Sequence, residues 1–153
     1  MASVEYKDIF GMFLGNITDY KLASLEEEDA TALMTEYLHK ALYAPYVRRI
    51  FKSVSFVDAE QVIEFTMNHS TTEDNDKGFV TTAIAKWMTY EWVHNQVNNV
   101  VNTAQFFGGA EQKYYSQQQH LTALRELQDS LYKEARNFVM DRGYITNSYL
   151  GGS

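Results

Sequence analysis

Two long amphipathic runs separated by a glycine pair constrain this chain more than any other feature. From about Phe79 to Phe106, the residues Val80, Ala83, Ile84, Trp87, Tyr90, Val93, Val97, Val101 and Ala104 recur at steps of three and four. That spacing keeps one continuous stripe on one side of a helix. Gly108-Gly109 then breaks the chain. From about Glu111 or Gln117 to Asp141, Leu121, Leu124, Leu127, Leu131, Ala135, Phe138 and Val139 line a second stripe. Two such runs joined by a short turn predict an antiparallel helix hairpin.

The remaining segments read mostly as helix. A first helix is expected from about Val4 to Leu14, with Tyr6, Ile9, Phe10 and Phe13 near one face and Gly15-Asn16 as its end. Ser24 and Glu27 match a capping box, in which each side chain satisfies the other's free backbone donor. Glu26, Glu27, Glu28 and Asp29 suit a first turn, where the helix dipole favours negative charge. Ala30, Leu33, Met34, Tyr37, Leu38, Ala41 and Leu42 continue that helix until Pro45. Ser53–Val57 alternates polar and apolar, which fits a short strand or an extended link. Asp58 can cap a short helix from Ala59 to about Met67, and Ser70–Gly78 reads as a polar loop. The expected fold class is all-α: a helical bundle over residues 1–143, with an extended C-terminal tail over 144–153. The expected core includes Leu33, Tyr37, Leu38, Trp87, Trp92, Leu124, Leu131 and Phe138.

Composition narrows the function classes. The chain has 153 residues, no cysteine and a formal net charge of −7. The lack of cysteine removes a disulfide scaffold, a thiol nucleophile and a Cys-ligated zinc site. A net negative chain lacks the basic footprint of a general nucleic-acid binder. The charge is uneven: residues 1–76 hold 14 acidic and 6 basic side chains, whereas 77–153 hold 6 and 7. Such asymmetry is read either as a solvated acidic face or as one end of an oriented assembly. The start, Met1–Asp8, lacks the layout of a signal peptide. The longest stretch without formal charge, Trp92–Ala110, contains six amide side chains, too many for a membrane span. Synthesis in the cytoplasm is expected, with no membrane partner.

Chemistry finds few candidates. Two Glu-x-x-His pairs, Glu36/His39 and Glu91/His94, invite comparison with di-metal carboxylate bundles. The helical wheel sends Glu36 and His39 away from their stripe, while Glu91 and His94 fall on the apolar side of theirs. One inward pair is at most half a site, so no cofactor is expected. There is no Gly-x-Ser-x-Gly turn and no phosphate-binding glycine loop, so the chain is not expected to be an enzyme. Arg48, Arg49 and Lys52 form a small basic cluster around Phe51 that suits either a partner or a salt-bridged surface. Eleven Tyr, nine Phe and two Trp are many for a core of this size. Tyr and Trp bury large area yet keep a polar tip, so part of this set suits interfaces. Tyr114, Tyr115, Arg48, Arg49 and Phe51 are therefore expected at contacts between subunits or with partners. Tyr144, Ile145, Tyr149 and Leu150 are expected on a docking tail.

Several segments resemble one known group. Ile17–Asp29 resembles the "I-(S/T)-D-Y-D-L-x-S-L-x-E-E-D" opening of small structural proteins from tailed phages and prophages of Gram-positive bacteria. Met88–Val93 is similar to that group's "M-x-x-E-W-L" helix. Lys113–Leu121 resembles its "x-x-Y-S-x-x-N-x-L" entry to the last helix, and Glu134-Ala135-Arg136 with Arg142-Gly143-Tyr144 its ending. The resemblance implies a head–tail connector adaptor, a virion neck protein made in a bacterial host. It implies a homo-oligomeric ring, twelve-fold in such adaptors, between the portal protein and the stopper or tail proteins. In that family the C-terminal tail clasps the portal, which would make Tyr144–Ser153 the portal-docking segment. DNA would pass through the ring during packaging and ejection without specific binding, which suits an acidic or neutral lumen. A tail-completion or stopper protein is the neighbouring alternative. A small helical-bundle metalloprotein using Glu91 and His94 is the alternative from another class. Tyr46–Asp76 departs from the group's pattern.

Overall fold

The N-terminal residues Ala2–Glu5 form a strand, and this small fact changes the class of the fold. The computed structural model describes residues 2–17, 25–106 and 111–145, with side chains except at 100–106, 111–117 and 143–145. In chain order the elements are β1 (Ala2–Glu5), α1 (Tyr6–Gly15), α2 (Glu27–Tyr43), α3 (Pro45–Arg48), β2 (Phe51–Val57), β3 (Val62–Met67), α4 (Glu73–Phe106) and α5 (Glu111–Ile145). The three strands make an antiparallel sheet in the order β1-β3-β2. The protein is therefore mixed α/β, mainly helical, and the expected all-α class is incorrect.

The sheet follows from a period-two pattern that reads at first as a helix. In β3, Ile63, Phe65 and Met67 are buried, while Val62, Glu64 and Thr66 are only half-buried. Alternation of this kind buries one face of a sheet and leaves the other wet. The helix expected over Ala59–Met67 is thus strand β3, and Ser53–Val57 lies within its partner β2. Residues 58–61 turn between them, with Gln61 at φ 55°. Glycine or asparagine is the usual occupant of such a position, so the turn carries no sequence signature. β2 is irregular between Phe51 and Ser53. The first helix begins at Tyr6 rather than Val4, because Val4 pairs with Ile63 and points into the core.

The helices differ from expectation mainly at their ends. α2 starts at Glu27, with Glu26 at its N-cap and no side-chain cap bond. Ser24 of the expected capping box lies outside the described residues. The expected polar loop at 70–78 is shorter, because α4 starts at Glu73. Thr72 caps it: its Oγ1 accepts a hydrogen bond from the Asn75 amide at 3.3 Å. Glu73, Asp74 and Asp76 then sit in the first turn, where the dipole favours them. α5 runs to Ile145, so Tyr144 and Ile145 belong to its last turn and not to an extended tail.

α4 is the organising element. It touches α1, α2, β1 and α5, and its Val80, Ile84, Trp87 and Met88 join Tyr6, Phe13, Leu38, Ile63 and Phe65 in one core. α4 and α5 have 34 and 35 residues, so each is about 50 Å long. Near the open end of this hairpin, Phe79 stacks on Phe138 with centroids 5.1 Å apart. Lys86 Nζ reaches Glu134 at 2.5 Å.

Candidate functional site

Three arrangements, two of them reaching into the common core, place polar or aromatic groups together. The first joins the β2–β3 turn to two helices. The Tyr6 hydroxyl at the start of α1 donates to Asp58 Oδ1. His39 Nε2 of α2 lies 3.1 Å from the same oxygen, and the His39 ring stacks on Phe56 at 4.0 Å. Burial, together with the Asp58 bond, pushes the Tyr6 phenol well above its ordinary value. The Tyr6 bond, then the His39 bond, holds the Asp58 carboxyl below the usual carboxylate range. Asp58 is thereby committed as an acceptor, and the trio fixes the turn against α1 and α2.

The second arrangement closes the helix hairpin. Asp76 is 4% exposed, and its carboxylate receives Ser70 Oγ (2.6 Å), the Thr71 amide (3.1 Å), Thr71 Oγ1 (3.1 Å) and Arg142 Nη2 (2.7 Å). Burial pushes this carboxyl up, but the bonds from Ser70, Thr71 and Arg142 outweigh it and hold it below its usual range. Arg142 also donates to the His69 carbonyl at 3.0 Å and lies over the Phe79 ring at 4.5 Å.

The third is an aromatic cluster where α3, α4 and α5 meet. Tyr46 stacks on Trp87 at 6.1 Å, and Tyr132 meets Trp87 edge-on at 5.5 Å. Tyr90 packs against both Trp87 and Tyr132. The Arg136 guanidinium lies over Tyr46 at 5.4 Å. The Tyr46 hydroxyl bonded to Tyr132 pushes the Tyr132 phenol up. Trp87 Nε1 is buried and has no acceptor among the described residues.

The expected site residues are scattered by the fold. Arg48 and Arg49 are exposed at the end of α3 and just beyond it. Phe51 is not a contact residue: it is 6% exposed and meets Phe65 edge-on at 5.7 Å inside the core. Its inward direction follows from the strand register, which the segment's uncertain class concealed. Tyr114, Tyr115, Tyr144 and Ile145 lie on α5 at positions whose side chains are outside the described residues. So do Tyr149 and Leu150 in full. Of the expected core, Tyr37, Leu38 and Trp87 are buried, whereas Leu33, Trp92, Leu124, Leu131 and Phe138 are half-buried. α5 leaves Leu127 45% and Met140 40% exposed.

Glu91 is half-buried, His94 is exposed, and His94 Nδ1 lies 3.2 Å from Gln128 Nε2. Glu36 pairs with Lys40 at 3.2 Å, one turn along α2. Among the described residues no group of three His, Asp or Glu side chains is placed to hold a metal ion. Among them, too, no helix is long and apolar enough to cross a membrane. Sequence reading missed the Tyr6–Asp58–His39 contact, whose members are 19 to 52 positions apart. It also missed the aromatic cluster, although Trp87 and Tyr90 were visible on the α4 stripe.

The chain matches no protein-family model, no curated protein and no solved structure.

Proposed function

We propose that the chain is a structural virion protein, an adaptor of the head–tail connector that assembles as a ring beneath the portal and around the DNA channel. The observation that carries this reading is the incomplete cover of α5. Among its residues 118–142, only Leu121, Ala135 and Val139 are buried, while Leu124 and Leu131 are half-buried and Leu127 is exposed. An apolar stripe of this kind is normally covered, and another chain can supply the cover. Each Å² of apolar surface so buried contributes about 25 cal/mol. The motif resemblances at Ile17–Asp29, Met88–Val93 and Lys113–Leu121 point to the same class.

In this reading residues 146–153, with Tyr149 and Leu150, reach the portal, and stopper or tail proteins bind the opposite side. The acidic balance of residues 1–76 suits a channel wall that does not hold passing phosphates. The test is to delete residues 146–153 and mix the protein with a purified portal. The shortened chain should keep its circular dichroism spectrum and lose portal binding. Undiminished binding contradicts the assignment of the tail, and no portal binding by the full chain contradicts the adaptor reading itself.

A further inference from the structure

Two oppositely charged surfaces lie at opposite ends of one helix, and among the described residues no ion pair neutralises either. At the start of α2, Glu26, Glu27 and Glu28 line an open cleft of about 480 Å³ with Thr31 and Gln61 of the β2–β3 turn. Leu25 stands beside it, 40% exposed. Beyond the other end of α2, Arg48, Arg49 and Lys52 are all exposed, and Tyr43, the last residue of α2, is 71% exposed. Among the described residues none of these six charged side chains has an ion-pair partner, although six other pairs form elsewhere. The helix dipole accounts for carboxylates at the start of α2. It does not account for a cleft between the helix and the turn, nor for three exposed cations beyond its other end.

We infer that the acidic cleft of one copy receives the Arg48–Arg49–Lys52 end of a second copy of this chain, head to tail. α2 has 17 residues and holds the two ends about 25 Å apart, so one chain cannot bring its own surfaces together. Three carboxylates facing three cations balance in number. Each contact uses two different patches, so a joined pair still has one free acidic end and one free basic end. Such a heterologous contact propagates and closes into a ring when its rotation permits. Exposed ion pairs are individually weak, so their role is register and steering. Tyr43 and Leu25 supply apolar area at the two ends. This contact rests on the ring reading above and adds a charged, register-setting contact to the apolar cover of α5.

The experiment is sedimentation of the full chain at about 0.02 M and about 0.5 M salt, since screening weakens exposed charge pairs. The unaltered chain should associate more tightly at low salt than at high salt. Two variants follow: one carries Glu27→Lys and Glu28→Lys, the other Arg48→Glu and Arg49→Glu. Each alone should lose association by about tenfold or more, with an unchanged circular dichroism spectrum. Mixed in equal amounts they should associate again, because every cleft then faces an end of opposite sign. Association undiminished in either variant, or a mixture no tighter than the variants alone, overturns the contact. Electron microscopy separates this contact from the ring reading. Rings that persist in the variants sink the contact alone, while open head-to-tail chains of the unaltered protein support the contact and count against the ring.

Discussion

Arg142 Nη2 lies 2.7 Å from Asp76 Oδ1, tying the last turns of α5 to the first turn of α4. Their side chains are 14% and 5% exposed, so the pair is largely removed from water. Removing one partner of such a pair leaves the other charge buried and uncompensated, at a cost of about 3–5 kcal/mol. Arg142→Ala should therefore lower unfolding free energy by about that amount in urea titration. A loss below about 1 kcal/mol, the value of an exposed pair, would show that Asp76 does not depend on Arg142.

Acid should unfold the protein through Asp58 and Asp76. Both carboxyls are held below the ordinary range in the folded state. Their contribution is therefore complete above the unfolded value of about 3.9 and is lost as pH falls through the lower folded values. Thermal melting should be flat in this respect above about pH 5 and drop steeply below about pH 4. Asp58→Asn should flatten part of that acid limb. A limb that is identical in the variant would remove Asp58 from the explanation.

Phe51 separates core from contact most sharply. It is 6% exposed and packs on Phe65. Phe51→Ala should cost about 3–5 kcal/mol through lost transfer energy and the cavity left behind. Denaturant titration of the isolated protein measures this directly. A neutral result would return Phe51 to the surface.

Gly78 offers the opposite sign. It lies six residues into α4, and a Cβ built there meets nothing within 4 Å. Gly78→Ala should raise stability by about 1 kcal/mol, because glycine loses more backbone freedom in a helix. A lower melting temperature would mean that the first turns of α4 need glycine.

The long helices were readable from apolar spacing alone. Met34, Tyr37, Leu38, Ala41 and Leu42 mark the buried face of α2, and Pro45 marks its end. Val80, Ile84, Trp87 and Val93 mark the buried side of α4. The sheet was not readable for physical reasons. β1 has four residues, the β2–β3 turn puts Gln61 where glycine is expected, and Val62–Met67 is too short for its period to decide. The polar contacts were hidden for another reason. Tyr6, His39 and Asp58 meet only once the sheet folds α1 and α2 around the turn. Arg142 finds Asp76 across 66 positions.

Electron microscopy of the full chain, alone and mixed with a purified portal protein, is the most direct test of its assembly as a head–tail adaptor. Closed rings seated on the portal, with the α4–α5 hairpins packed side by side, are the expected result. A full-length, folded chain that forms no ring and leaves the portal bare would contradict it.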